Sequence, residues 1–490
     1  MTPAQGQVPD TGADPRPDAL RECGAALGRE SHTLRERPEL TWQQLYNLLQ
    51  WEEGSLTGRL EPQVERRSAP GASPWLHTRN RSRESDALRL TLTGHTSRVN
   101  ACAISPDSSY VVTASKDNTA RIWDAATGRE RATLSGRTGQ VNACAISPDS
   151  SFIVTAGWDN TSRIWDAATG RERATLSGHT DMVEACAISP DSSYIVTASV
   201  DHTARIWDAA TGVERATLTG HTGQVYACAI SPDSSYIVTA SEDHTARIWD
   251  AASGRERATL TGHTGTVNAC AISPDSSYIV TASVDHTARI WDAATGRERA
   301  TLTGHTSWVN ACAISPDSSY VVTASWGDTA RIWDAASGVE RATLTGHTSP
   351  VNACAISPDS SYIVTASEDR TARIWDAATG GERATLPLLG EGTCAALNPW
   401  RPFAVCGDSG GNVYLMDLVG IEYGPIVVTA VDHGIGAGPA LRCPKCFRLH
   451  PLVGAWLGRV IDCPTPDCGL SLRVNPFVTR MAKRPHWWSR

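Results

Sequence analysis

The sequence predicts an all-β chain built from one repeated four-stranded unit, and three observations carry that prediction: a Gly-His pair and a Trp-Asp pair that each recur every 42 residues, and turn chemistry that cuts each unit into four short segments. The first pair stands at Gly94-His95, Gly178-His179, Gly220-His221, Gly262-His263, Gly304-His305 and Gly346-His347, with Gly136-Arg137 filling the gap. Trp123, Trp165, Trp207, Trp249, Trp291, Trp333 and Trp375 are each followed by Asp. Taking residues 220–261 as the type unit, Val225 to Ile230 reads as strand a and Ser231-Pro232-Asp233-Ser234 as a turn with proline in its second place. Tyr236 to Ala240 reads as strand b, Thr245 to Trp249 as strand c and Arg257 to Leu260 as strand d. So small a unit cannot bury its own apolar face, so its stability must come from stacking on neighbours.

These repeats resemble the WD-repeat family, whose units of about 40–45 residues are four-stranded blades of a β-propeller. An eighth, degraded unit is expected: aligning Ile363–Asp376 with Ala404–Asp417 puts Cys406 at Thr365, Gly410 at Asp369 and Met416 at Trp375. Leu88 to Leu92 then reads as an orphan strand d that closes the ring, giving eight blades; seven blades with an appended hairpin is the alternative. The resemblance further implies a hydrogen-bonded chain inside each blade, which in the fourth falls on Asp243, His221, Thr239 and Trp249. Although an acid, an imidazole and a hydroxyl also make a hydrolase triad, a motif repeated in seven units points to a structural polar core. Blade 2, with Arg137 for His, and blade 6, with Gly327 in the Asp position and Asp328 one place late, are expected to be looser. The cysteines of strand a (Cys102, Cys144, Cys186, Cys228, Cys270, Cys312, Cys354) are expected to pack as small hydrophobes without disulfides.

Around the propeller, assigned to 88–431, lie four further segments. Residues 1–16 are polar and expected to be disordered; 17–52 read as two amphipathic helices through Leu20, Cys23, Leu27 and Leu34, then Leu45, Leu48 and Leu49; 53–87 form a Pro/Ser/Arg linker; and 432–490 form a separate tail. The helical flank resembles the segment preceding the propeller in bacterial STAND-type signalling ATPases. In the tail, Cys443, Cys446, Cys463 and Cys468 follow the pattern C-x2-C-x16-C-x4-C, close to zinc-ribbon spacing, in which two short knuckles offer four thiolates to one tetrahedral ion. Four ligands leave no open coordination position, so the expected cofactor is one structural zinc per chain; a redox pair or a chance cluster is the alternative.

Composition narrows the partners. Of 490 residues 41% are hydrophobic and 20% charged, and no apolar run approaches the roughly 18 residues a membrane span needs, so no membrane partner is expected. The polar, Pro- and Asp-rich start lacks the layout of a signal peptide, and a cytoplasmic location is expected. A net charge of −8 conceals a tail, 434–490, with 9 basic against 2 acidic side chains. The acidic body does not suit a phosphate-backbone binder, so nucleic acid is open only through the tail. No GxxxxGK[ST] sequence occurs, which argues against a P-loop nucleotide site.

Function is read from where near-identical units differ. Units 220–261 and 262–303 share 38 of 42 residues, and three of the four differences (Gln224/Thr266, Tyr226/Asn268, Glu242/Val284) lie in or beside the d–a and b–c loops, which emerge on one face. The same columns supply Arg98, Met182, Gln224 and Trp308; Glu184 and Tyr226; and Lys116, Trp158, Glu242, Trp326 and Glu368. Exposed tryptophan is a liability unless it serves an interface, so these residues are the candidate surface for a protein or peptide. Arg98, Lys116 and Arg137 on adjacent blades, against Asp181, Glu184 and Glu242 on the next two, suggest a charge-polarised face. His202, His244 and His286, each following the turn Asp, are expected to be solvated rim residues because ligands on diverging blades cannot meet at one ion. The near-identical repeats resemble the ligand-sensing arrays of fungal and bacterial STAND-type proteins, which implies a non-catalytic recognition propeller. An enzyme in the central channel would need an unrepeated acid/base constellation, which the sequence lacks; a nucleic-acid adaptor acting through the basic tail is the other reading.

Overall fold

The computed structural model describes residues 88–418, 421–432 and 438–481. The expected helices at 17–52 and the linker lie outside them. Among the described residues every regular element is a strand apart from one 3-10 turn, Gly454–Trp456.

Seven units form antiparallel four-stranded sheets in chain order, blade 4 for example running Val225–Ile230 (a), Tyr236–Ser241 (b), Ala246–Asp250 (c) and Glu256–Leu260 (d). Strand b, with sheet neighbours on both edges, is buried throughout, whereas the outer strand d is exposed at its start and buried only at Leu260. The a–b turn is set by its own side chains: the Ser231 hydroxyl donates to Asp233 and accepts the Ser235 and Tyr236 N–H groups at 3.0 Å. Stacking supplies what one blade lacks. Trp249 and Ile237 of blade 4 pack on Tyr194, Val196, Ile206 and Leu218 of blade 3. The Tyr236 hydroxyl reaches the Ser276 carbonyl of blade 5 at 3.1 Å, and the Cys228 thiol lies 3.7 Å from the Val196 carbonyl of blade 3. The ring cysteines are therefore contacts between blades, and none is in a disulfide. Burial pushes thiols such as Cys186 and Cys354 up to about 12, which keeps them protonated and unreactive.

An eighth sheet closes the ring, so the seven-blade alternative is not what forms. Its strands are Gly392–Leu397, Phe403–Asp408 and Val413–Asp417, with Leu88–Leu92 as the outer strand. The strand Gly392–Leu397 lies beside the innermost strands of both blade 7 and blade 1. Ala404 pairs with Met416 as Ile363 pairs with Trp375, which places Met416 in the tryptophan position. The polar core is rebuilt here around Asp408, fully buried, which accepts from Tyr414 Oη at 2.7 Å and from Asn412 Nδ2 and Gly390 N at 2.9 Å.

The implied polar chain is present. In blade 4, Trp249 Nε1 donates to Thr239 Oγ1, the Thr239 hydroxyl meets His221 Nε2 and His221 Nδ1 meets Asp243 Oδ2, each at 2.8 Å. Each buried polar atom in this line thus has a partner. Burial pushes the Asp243 carboxyl up, but hydrogen bonds from Thr245 and His221 outweigh it and hold the group at about 2; Asp285 behaves alike. Burial itself holds the imidazoles of His221, His263 and His347 below their ordinary value.

Blade 2 corrects the expectation of looseness. Arg137 spans the distance that His and Asp bridge elsewhere: Nη1 donates to Asp159 Oδ1 at 2.7 Å and Nη2 to Thr155 Oγ1 at 2.8 Å, while Trp165 Nε1 donates to the same hydroxyl at 2.8 Å. The larger head fits because Gly157 replaces the serine of the other six repeats; a Cβ there would stand 2.5 Å from Arg137 Nη1. Arg137 is only 8% exposed and paired, so it adds no charge to the outer face, and the charge-polarised face loses that member. Blade 6 does lose a link: Thr323 still meets His305 Nε2 at 2.6 Å, but His305 Nδ1 is buried without a partner.

The tail forms a five-stranded sheet in the order Leu449–Pro451, Ala440–Arg442, Ile426–Asp432, Ser471–Arg480, Val460–Asp462, with the third and fourth parallel. Its sheet reaches back to Ile426, upstream of the boundary expected at 432. The tail docks on the a–b turns of blades 5 to 7. Val427 N donates to Pro358 O at 2.9 Å, Asn475 Nδ2 to Pro316 O at 3.1 Å and Thr479 Oγ1 to Pro274 O at 3.4 Å, while Arg473 meets Asp317 at 3.3 Å.

Gly157→Ser alone is expected to destabilise the propeller by about 1–3 kcal/mol through overpacking against the guanidinium. Adding Arg137→His should restore most of that loss, giving a coupling of about 0.5–3 kcal/mol in urea unfolding; additive effects would contradict the shared site. The Asp243 and Asp285 carboxyls lie below their ordinary value, so each stabilises the fold at neutral pH and loses that contribution on acidification, while the buried imidazoles of His221, His263 and His347 take up a proton less readily than those of the unfolded chain, which also favours unfolding in acid. The urea midpoint should therefore fall steadily as pH drops from about 6.5 to about 2, and a rise anywhere in that window would contradict the assignment.

Candidate recognition face and metal centre

In an antiparallel blade the d–a and b–c loops emerge together, and here one hydrogen bond ties them in every blade. The N–H of the variable b–c residue donates to the carbonyl of the variable d–a residue: Lys116 to Arg98, Trp158 to Gln140, Val200 to Met182, Glu242 to Gln224, Val284 to Thr266, Trp326 to Trp308 and Glu368 to Pro350, at 2.8–2.9 Å. Two columns far apart in sequence are thereby one surface. The third column is positioned by a β-bulge at the start of strand a, where register slips across Glu184 between Val183 and Ala185, and across Tyr226 between Val225 and Ala227. Such a bulge leaves one residue unpaired and re-aims its side chain.

The result is a cleft of about 470 Å³ lined by Arg98, Glu184, Tyr226, Trp308 and Trp326, together with Asn268, Val284, Asn310, Asn352 and Thr393. Trp308 and Trp326 stack with ring centroids 4.8 Å apart while remaining 42% and 40% exposed. Glu184 accepts from Asn142 Nδ2 at 2.9 Å and from the indole of Trp158, itself 41% exposed; burial pushes the Glu184 carboxyl above its ordinary range. The Tyr226 hydroxyl donates to Gln224 Oε1 at 2.8 Å, and Gln224 N donates to Glu242 at 3.4 Å. Lys116, Trp158, Met182, Gln224, Glu242 and Glu368 do not line the cleft; Lys116 and Glu242 are exposed beside it. Thr393 was not singled out from the sequence, although its place beside Gly392 matches that of Asn352 beside Val351, and the eighth blade slips register there too.

His202, His244 and His286 are exposed, with φ of 68°, 66° and 69°. The equivalent Asn118, Asn160, Asp328 and Arg370 share that left-handed conformation, which Asn, Asp and His adopt more readily than most residues. The turn accounts for the histidines, and among the described residues the one group able to hold a metal ion is Cys443, Cys446, Cys463 and Cys468.

The four thiol sulfurs of that group lie within 4.8 Å of one another, with Cys443–Cys468 and Cys446–Cys463 both at 3.7 Å. A tetrahedron of thiolates about 2.3 Å from one ion has edges of about 3.8 Å, so the set fits a four-coordinate metal. Two residues beside it escaped the spacing argument: His450 Nε2, 3.6 Å from Cys463 Sγ, and Lys445, whose Nζ donates to the Cys468 carbonyl at 2.5 Å. Such outer contacts orient ligands and balance thiolate charge.

The family model for the WD domain, G-beta repeat, matches residues 87–124, 128–166, 170–208, 212–250, 254–292, 296–334 and 338–376. No curated protein matches the chain. Among solved structures, the crystal structure of the computationally designed Ika8 protein is 28% identical with a TM-score of 0.62, covering 68% of this chain and 100% of its own.

Purified protein is expected to carry one metal ion per chain, lost in Cys443→Ser, with the tail's protease resistance lost and the propeller's unfolding transition retained. Metal-free protein from a chelator-free preparation, by elemental analysis, would contradict the site.

Proposed function

The chain belongs to the WD-repeat family, a family of protein-interaction scaffolds, and we propose that its variable face binds a protein or peptide without catalysis, as the sensing part of a cytoplasmic signalling or defence system. The observation that carries this reading is the exposed Trp308–Trp326 stack at the rim of a cleft whose other walls are the columns that differ between otherwise near-identical repeats. Solvent-exposed indoles are costly, and burying such a pair against a partner is what interface hot spots do. Asn, Glu, Arg and Tyr around it offer adaptable hydrogen bonding without an acid/base pair set for chemistry. The buried Asp-His-Thr-Trp chains are spent on the blades themselves.

The metal of the tail is proposed to be zinc, since four thiolates in a closed tetrahedron suit that ion and leave it no open position. Its role is to hold the small sheet that docks on the a–b turns, away from the variable loops. Arg473 of the basic tail is engaged with Asp317 in that docking.

Trp308→Ala and Trp326→Ala should each weaken binding of the partner at least tenfold, whereas Val339→Arg, in the exposed c–d turn at the opposite end of the same blade, should leave it unchanged. Equal affinity in all three variants, measured calorimetrically, would refute the assignment of the face.

A further inference from the structure

In its buried polar chain, blade 6 differs from its neighbours by one absent side chain. In blade 5 the Asp285 carboxylate gathers four donors: His263 Nδ1 at 2.7 Å, Thr264 N at 3.0 Å, Thr287 N at 3.0 Å and Thr287 Oγ1 at 2.7 Å. The frame around the corresponding position of blade 6 is the same. Gly327 N donates to Ser325 Oγ at 3.1 Å as Asp285 N does to Ser283 Oγ, and Ser325 N donates to Thr329 O at 3.1 Å as Ser283 N does to Thr287 O. His305 keeps its bond to Thr323, and Ala324 pairs with Ala330 as Ala282 pairs with Ala288. Only the carboxylate is missing. Asp328, one residue later with φ of 63°, does not supply it, for His305 is 7% exposed and its Nδ1 has no partner.

Leaving a buried ring nitrogen unpaired costs about 1–3 kcal/mol, a cost the other blades avoid. Thr306 Oγ1 stands 2.6 Å from where the missing side chain's Cβ would be, and because Thr306 is exposed and Gly327 half-buried, rotation of the threonine opens the position to solvent. It also adjoins the tryptophan stack, because Trp326 directly precedes Gly327 and Ser307 separates Thr306 from Trp308.

We infer that blade 6 is a carboxylate-binding site, in which an acidic group from outside the chain takes the place of the missing aspartate, accepting from His305 Nδ1 and from the Thr306 and Thr329 donors. The chemistry is that of any small carboxylate; its assignment to an Asp or Glu side chain of a bound peptide rests on the proposed recognition face. The mouth thereby gains an acidic-residue pocket beside an aromatic platform, a specificity element in one blade of eight. Within the chain, Gly327→Asp should fill the pocket. The introduced Cβ would stand 2.6 Å from Thr306 Oγ1, the end of a side chain that can rotate away, and the other blades show the aspartate accommodated.

The test uses the full chain and needs no identified partner, so its failure is separable from failure of the recognition face. Thermal unfolding is followed with sodium formate against sodium chloride at equal ionic strength, with the capped peptide N-acetyl-Ala-Asp-Ala-amide, and with its Asn analogue. Formate should raise the wild-type Tm by roughly 1–2 °C beyond chloride, saturably. Gly327→Asp should start from a higher Tm and show no such increment. A response to the Asp peptide at lower concentration than to formate, absent with the Asn peptide, assigns the site to a peptide side chain; a response to formate alone assigns it to a free carboxylate. No excess over chloride for either probe, or an undiminished response in Gly327→Asp, overturns the site.

Discussion

The structure depends on the fact that no blade can bury its own apolar face. In blades 2 to 7 the strand-c tryptophan and the first isoleucine or valine of strand b lie against the preceding blade, so the hydrophobic clusters cross blade boundaries. The polar chain follows from that arrangement: an indole buried in a seam needs an acceptor, the threonine hydroxyl provides it, and the histidine and aspartate complete the line to the loops. The chain also fixes the b–c loop against the d–a loop, and so a packing requirement ends by presenting the variable columns as one surface.

The period, the four strands and the closure by an eighth sheet were legible because each rests on local chemistry: turn residues, alternation and the Trp-Asp pair. The variable columns were legible for a different reason, since the repeats serve as one another's controls. Arg137 was harder. Read as a missing histidine it predicts weakness, and only geometry shows that its guanidinium reaches both Asp159 and Thr155, with Gly157 as the compensating change. Asp408 was missed because the eighth blade moves its buried carboxylate out of the column that six of the other blades use. Where the tail docks could not be read either, since it depends on backbone carbonyls of turns shared by all seven repeats.

The two ends of the propeller are treated differently. At one end, loops carry the substitutions and an open cleft. At the other, the invariant a–b turns receive the metal-binding tail, and between turns and tail a cavity of about 790 Å³ remains, lined by Pro106, Pro148, Pro190, Pro232 and Phe447. Repetition suits both uses: identical turns make a regular dock, and diverging loops make an irregular reader.

Near-identity also creates a counting problem, because the seven repeats make six interchangeable seams with one another. The eighth blade breaks that degeneracy. At its seam with blade 1, Thr393 Oγ1 meets the Val99 carbonyl at 2.5 Å in place of the asparagine that bonds the equivalent carbonyl at the next seam, Asn100 to Val141, and the Ser108 hydroxyl donates to Asn398 Oδ1 at 3.0 Å. A ring that closed without the eighth blade would bring consensus edges together there and forgo the Ser108–Asn398 bond. The degenerate blade thus acts as an index mark, giving a chain of copies one starting point and one way to be complete.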